Sequence, residues 1–355
     1  MVEDTTRAGP ATPTSTPRNK RARTVVIITQ TPLRISFAGG GTDIPSYYES
    51  RGGGHVVSAA INKYVTVCLF PRYDEKIYVH WSRIEIVDDI DQIQHELVRE
   101  ALRLTGIKGG VEILMQSDIP AEGSGLGSSS SVTVGLLHAC HVYQGEAVGP
   151  GQLAEEACEI EIVRCKKPIG KQDQYIAAYG GAQSIRFDQS GAVHVEECAL
   201  FPVDLRALSM NLCLFYTART RSANPILADQ GKKMASNGAH LDRIRELAEE
   251  AYVAIGKRDF DRLGLTLAQN WSLKKRLADG ISDSAIDAMY DRAINAGALG
   301  GKIVGAGGGG FLLVYCRGEC QPALMKALAE YRRMPFLIER DGSKVIFNNG
   351  RSTWK

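Results

Sequence analysis

Residues 117–139 read SDIPAEGSGLGSSSSVTVGLLHA, and segment 123–131 sets three glycines and five serines directly before an apolar run. Ile119-Pro120 fixes an extended entry, because the proline ring disfavours helical backbone at the residue before it. Gly123, Gly125 and Gly127 then permit tight turns and close approach of the backbone to a ligand. Ser128 to Ser131 start a helix whose first N–H groups have no partners within it. Those donors and the helix dipole favour an anion, and a neighbouring serine hydroxyl can reach a phosphate-bound Mg²⁺. The plainer alternative is a serine N-cap on an ordinary helix. One serine suffices for a cap, and three alternating glycines add nothing to it. The stretch is therefore read as a phosphate loop. It is not the GxxxxGK[ST] loop, because the lysine is missing.

Three other stretches carry chemistry-bearing residues. In TPLRISFAGGGTDIPSYY (31–48), Arg34 precedes a glycine turn bearing Thr42 and Asp43. An arginine and an aspartate flanking such a turn can take phosphate oxygens and sugar hydroxyls, although a surface turn with a solvated Asp43 reads equally well. In GKIVGAGGGGFLLVY (301–315), Gly305, Gly307 and Gly310 match the dinucleotide string, but FLLVYC continues as a strand instead of opening a helix. A glycine hairpin, or backbone pressed against the first loop, fits better. In EIEIVRCKKPIGKQDQYIAAYGG (159–181), Glu161 ends a helix face and Asp173 lies in the polar turn GKQDQ. Phosphoryl transfer to an alcohol needs one group to orient or deprotonate the hydroxyl, and carboxylates to hold Mg²⁺. A helix face and a solvated loop account for the same two residues without chemistry.

Composition narrows the class. The chain has 355 residues, 44% hydrophobic and 23% charged, with net charge +2. No apolar run approaches the ~20 residues that span a bilayer, and no apolar signal-like segment opens the chain, so a cytoplasmic protein is expected. Arg7, Arg18, Lys20, Arg21 and Arg23 against Glu3 and Asp4 leave residues 1–23 at +3 and the remainder at −1. That Thr/Pro/Ala/Arg-rich tail is expected to be disordered, and the remainder has no basic footprint for nucleic acid. The eight cysteines are scattered without a CxxC and read as reduced core residues. His138 and His141, three apart beside Cys140, have metal-ligand spacing but no further ligands to match.

Apolar alternation and turn residues predict a strand through 25–37, one or two through 54–71, short strands at 76–81 and 83–89, and another at 110–117, with a helical period at 91–106 bearing Ile93, Leu97, Ala101 and Leu104. A buried helix ending near Gly145 and a second at 151–165 precede further strands. Amphipathic helices dominate 223–278 and 283–297, followed by a strand–glycine–strand hairpin, a helix, and a closing hairpin in PFLIERDGSKVIF. Mixed elements without strict βα alternation give an α+β protein. The expected units are a basic tail (1–24), a first lobe (25–205) and a second (206–355).

Taken in order, the four stretches resemble the GHMP kinases, the superfamily of galactokinase, homoserine kinase, mevalonate kinase and phosphomevalonate kinase. The opening loop resembles the second family motif, GAGGGGFLL the third, and TPLRISFAGGGTD the first in its sugar-kinase form. The resemblance implies a two-lobed fold, with a ribosomal-protein-S5-like N-terminal lobe and a ferredoxin-like C-terminal lobe. RISFAGGGTDIPSYY, KKPIGKQDQYIAAYGG, FYTARTRSA and AGALGGKIVGAGGGGFLL narrow it to the D-glycero-α-D-manno-heptose 7-phosphate kinases, relatives of L-fucose kinase. That family implies ATP- and Mg²⁺-dependent phosphorylation of the anomeric hydroxyl, feeding nucleotide-activated heptose. A monomer or homodimer is expected.

The resemblance also assigns roles. Asp173 faces the reacting hydroxyl and Arg34 lies near the transferred phosphate. Gly123, Gly125, Leu126, Gly127, Ser128, Ser129 and Ser130 form the nucleotide loop, and Ser129 with Glu161 holds Mg²⁺. Gly41, Thr42, Asp43, Gln172, Tyr175, Gly307 and Gly308 fall on the sugar side. Arg219, Arg221 and Lys274 or Lys275 are cation candidates for the 7-phosphate, against a reading as ordinary surface charge. A kinase for an unphosphorylated sugar such as L-fucose, or a sugar sensor without turnover, remains the alternative.

Overall fold

The computed structural model describes residues 25–120, 123–219 and 223–352, so the basic tail and Arg221 lie outside the described residues. Two sheets organise what it describes. The first contains β1 (Ile27–Ala38), β2 (Gly54–Pro71), β3 (Ile77–His80), β4 (Ile84–Val87), β5 (Val111–Ser117), β6 (Ala182–Phe187) and β7 (Val193–Glu197). The second contains β8 (Leu212–Tyr216), β9 (Gly300–Ile303), β10 (Phe311–Tyr315) and β11 (Arg333–Met334), in the order β11-β8-β10-β9. The final strand, β12 (Lys344–Asn348), crosses back to pair with β1.

Long β-branched runs make β1 and β2 an antiparallel pair, and β2 is long enough to pair with β6 at one end and β5 at the other. Two short helices, α1 (Pro45–Tyr48) and α2 (Glu96–Thr105), and, after the glycine–serine loop, the longer α3 (Ser128–Gln144) follow in the first lobe. α3 settles closely on β1, since a Cβ at Gly135 would lie 2.8 Å from Thr31 Oγ1. α4 (Pro150–Cys158) runs into a π-helical turn, Glu159–Arg164, and α5 (Gln172–Tyr179) follows. Beyond α6 (Pro202–Asn211), the second lobe is covered by α7 (Ala223–Lys232), α8 (Met234–Gly256), α9 (Phe260–Lys274) and α10 (Ser284–Asn295), with α11 (Gln321–Ala327) near the end. No helix among the described residues is long and apolar enough to cross a membrane.

Several local expectations meet the structure differently. Residues 335–347 form no hairpin: β11 pairs with β8, whereas β12 joins β1. Gly342 makes that passage possible, because a Cβ there would meet Ala178 O at 1.9 Å. Residue 205, the expected end of the first lobe, lies within α6, where Leu205 and Leu208 are buried behind Pro202. Asp173 lies in the first turn of α5, not in a free polar turn. The 91–106 pattern yields a helix only from Glu96, after a 3₁₀ turn at Ile90–Gln92, with Ile93, Leu97 and Ala101 buried.

Candidate active site

The glycine–serine loop begins its helix on a glycine. Gly127 occupies the N-cap position in left-handed conformation, φ 77°, and no side chain caps the first turn of α3. A serine cap is therefore not what this helix uses, and its leading N–H groups are presented as an anion-binding end. The serines divide the other work. Ser131 Oγ donates to Pro32 O at 2.8 Å and fixes α3 to β1, and the Ser124 and Ser128 hydroxyls meet at 3.2 Å across the loop. Ser129 and Ser130 instead donate to the two oxygens of Glu161, at 2.5 and 2.6 Å.

Glu161 is fully buried, and the π-helical turn aims it across at α3. Gln174 Nε2 donates to it at 2.7 Å, while Lys167 Nζ lies 2.9 Å from Ser129 Oγ and 3.4 Å from Glu161 Oε1. A hydroxyl and a carboxylate side by side at a helix N-terminus are hard oxygen donors of the kind Mg²⁺ takes, so these residues fit a Mg²⁺–nucleotide. The third glycine stretch presses on the loop from the second lobe. A Cβ at Gly125 (φ 72°) would lie 2.5 Å from Val304 O, and one at Gly310 would lie 2.4 Å from Ser124 O.

Arg34, buried on β1, joins the loop to α5. It grips Asp173 in a bidentate ion pair, Nε to Oδ1 at 2.7 Å and Nη2 to Oδ2 at 2.5 Å. Its Nη1 donates to Gly125 O at 2.6 Å, and its backbone N–H donates to Leu126 O at 3.0 Å. Gly127 is pinned against this pair, with its missing Cβ 3.2 Å from Arg34 Cγ and 3.3 Å from Asp173 Oδ2. Asp43 is buried one step away, accepting from Gly41 N at 2.9 Å, Gln172 N at 3.2 Å and Gln172 Nε2 at 3.1 Å. Burial pushes its carboxyl above the usual range, and Asp173 acts in the same sense, partly offset by the backbone hydrogen bonds. Lys274, also buried, donates to Gly305 O, and burial lowers its amine to about 8, with Arg34 adding to the effect.

Arg34, Gly41, Asp43, Gln172, Asp173 and Lys274 are thus brought together around the loop. Other candidates are placed differently. The Thr42 hydroxyl is occupied by Gly39 O at 2.8 Å and His55 O at 3.0 Å, which shapes the turn. Tyr175 is buried and stacks on Tyr179, ring centroids 6.3 Å apart. Arg219 is exposed and paired with Asp283. Gly307 and Gly308 pack on Ile281, and Gly308 N donates to its carbonyl at 2.8 Å. Gly123 has φ 70° at the loop's entrance. Lys275 pairs with Asp287. His138 meets Ser343 and His141 lies between Glu146 and Glu156, and among the described residues no group of three such side chains could hold a metal.

Sequence reasoning missed Lys167, Gly170 and Lys302. Gly170 has a visible signal in the string PIGKQD, for a Cβ there would strike Asp43 Oδ2 at 2.0 Å. Lys302 gave none, being a single lysine in a glycine-rich strand.

Comparison with known proteins bears on this arrangement. The GHMP kinases N terminal domain matches residues 93–181, and the GHMP kinases C terminal domain matches residues 244–330. A D-glycero-alpha-D-manno-heptose 7-phosphate kinase from Campylobacter jejuni is 30% identical over 319 residues, covering 85% of this chain and 93% of that protein. The chain belongs to the GHMP kinases. It is a sugar kinase, a phosphotransferase of a family whose members are ATP-dependent and generally use Mg²⁺. This GHMP kinase is also 29% identical, over 345 residues, to an L-fucokinase/L-fucose-1-P guanylyltransferase from Bacteroides fragilis. That match covers 85% of the chain but 36% of the larger relative. The fold is shared with a D-glycero-D-manno-heptose 1-phosphate kinase from Bacteroides thetaiotaomicron, at TM-score 0.75 and 24% identity, covering 91% of this chain and 99% of that one.

Proposed function

We propose that this GHMP kinase transfers the γ-phosphoryl group of ATP to the anomeric hydroxyl of D-glycero-α-D-manno-heptose 7-phosphate, giving the 1,7-bisphosphate. The observation that carries the reading is the Arg34–Asp173 ion pair, wedged between an uncapped helix N-terminus and the buried Asp43 turn. The identity to the Campylobacter jejuni enzyme supports the choice of sugar.

In this scheme the N–H groups that open α3, with Gly125 and Gly127 allowing close approach, receive the nucleotide phosphates. Ser129 and Glu161 would hold Mg²⁺, which neutralises phosphate charge when bound. Arg34 is held by Asp173 and Gly125 O, and its remaining N–H groups face the developing charge on the transferred group. Asp43 and Gln172 orient the sugar through its hydroxyls. Asp173, immobilised by Arg34, has lone pairs left to accept the hydrogen bond of the anomeric hydroxyl and align it for attack. The sugar O–Pγ bond forms as the bond from Pγ to the β-phosphate oxygen breaks, and one proton leaves with ADP.

The test is ADP release across a panel of heptose 7-phosphate, free heptose and L-fucose, with the new phosphate located by ³¹P NMR. Phosphorylation at C1 of heptose 7-phosphate, in preference to free sugars, is expected. Turnover of free sugars alone would point to the fucokinase-like alternative, and no turnover at all to a sensor.

A further inference from the structure

Lys302 is a buried amine with little to compensate it. It projects from β9 of the second lobe beneath the glycine turn of the first and is 1% exposed. Among the described residues its Nζ makes one long hydrogen bond, donated to Phe37 O at 3.4 Å. Lys274, 6% exposed, likewise donates to a single carbonyl, Gly305 O. The neighbouring carboxylates are already engaged. Both oxygens of Asp173 are on Arg34, and those of Asp43 accept from Gly41 and Gln172. On the same face of β1 as Arg34, the buried Ser36 hydroxyl has no partner among the described residues. It opens toward Gly40, whose missing Cβ lies 3.8 Å from Ser36 Oγ and 3.5 Å from Gln172 Nε2. Buried amines without anionic partners are costly, and a cost retained beside a binding site points to a ligand that removes it.

We propose that the amines of Lys302 and Lys274, with the Ser36 hydroxyl, receive a phosphate group carried by the sugar substrate, so that Lys302 sets the preference for a phosphorylated sugar. This rests on the kinase reading above and deepens it. Arg219, exposed and already paired with Asp283, is not needed for that task. The charged groups facing Lys302 are Arg34 from β1, Asp43 from the turn and Lys274 from α9. Burial drives the Lys302 amine well below its usual range, and Lys274 and Arg34 push the same way. A dianion arriving there raises it again, so the phosphorylated sugar should bind with uptake of a proton.

The experiment compares the full-length enzyme with Lys302→Met, a variant of similar length that replaces a buried, sparsely bonded amine with an apolar group and should unfold no more easily. The ratio of kcat/KM for heptose 7-phosphate to that for free heptose should fall about tenfold or more in the variant. An equal loss for both sugars would mean that Lys302 is only a strut between lobes, and would overturn the proposal. The wild-type enzyme alone gives a second measurement by calorimetry in two buffers of different ionisation enthalpy. Heptose 7-phosphate should bind with proton uptake and free heptose without it, and equal uptake would also overturn the proposal. If the wild type does not phosphorylate heptose 7-phosphate at C1, the functional reading itself fails. If it does while the ratio stays constant, only the role of Lys302 fails.

Discussion

The two ends of the proposed site are built on opposite plans. At the nucleotide end, Glu161 is buried yet saturated by Ser129, Ser130 and Gln174, with Lys167 alongside, and glycine loops from both lobes are stacked in contact. At the acceptor end, Lys274 and Lys302 are buried with one carbonyl each, Asp43 is held above its ordinary range, and Ser36 has no partner among the described residues. In the proposed scheme the first end is a preformed cradle for a ligand common to many kinases. The second has polar capacity to be completed by a particular substrate, which is where selectivity is expected. Arg34 belongs to both, touching Gly125 on one side and Asp173 on the other.

The largest effect should come where the ends meet. Asp173→Asn keeps the shape but replaces one oxygen of the Arg34 ion pair with an amide and weakens the group that aligns the hydroxyl. We expect kcat to fall by roughly 10²- to 10⁴-fold, with nucleotide affinity changed far less. Steady-state ADP release and nucleotide titration would show the split. Activity that survived nearly intact would remove Asp173 from the chemistry.

Rigidity of the cradle predicts the next effect. Gly125→Ala forces a side chain into left-handed backbone with its Cβ 2.5 Å from Val304 O. A loss of about 2 kcal/mol or more in unfolding free energy is expected, together with weaker nucleotide binding. Denaturant melts and nucleotide titration measure both, and a neutral result would show that the loops are not in stiff contact. Smaller still is Ser129→Ala, which removes one proposed Mg²⁺ ligand while leaving Ser130 on Glu161. The Mg²⁺ concentration for half-maximal rate should rise about tenfold, read from metal titrations at saturating ATP. An unchanged metal dependence would assign Ser129 to holding Glu161 alone.

The contrast also explains what the sequence disclosed. Alternating glycines before a helix are a local signal, so the loop, its helix and the nearby Arg34 could all be found by spacing. The β9–β10 hairpin was equally legible, since its strands flank the glycines directly. The acceptor end depends on long-range meetings. Lys302 becomes a buried amine only because β9 lies at the edge of the second sheet and reaches Phe37 O in the first lobe. Nothing in GGKIV marks that lysine as buried, because alternation identifies the two faces of a strand but not which one is covered. The passage of β12 back to β1 was hidden for the same reason, as PFLIERDGSKVIF carries the turn residues of a local hairpin.

The smallest expected effect examines the acceptor end without catalysis. Asp43 has its carboxyl raised in the folded protein, chiefly by burial, so between the ordinary value of 3.8 and that raised value the native state binds more protons than the unfolded chain. Stability therefore falls as pH rises through this window, and the contribution is complete below it and gone above it. Asp43→Asn cannot titrate and should lack that component. Urea unfolding of both proteins from acidic to neutral pH should show the wild type losing stability relative to the variant as pH rises. A parallel pair of curves would mean that Gly41 and Gln172 compensate Asp43 fully, and the acceptor end would then be as satisfied as the cradle.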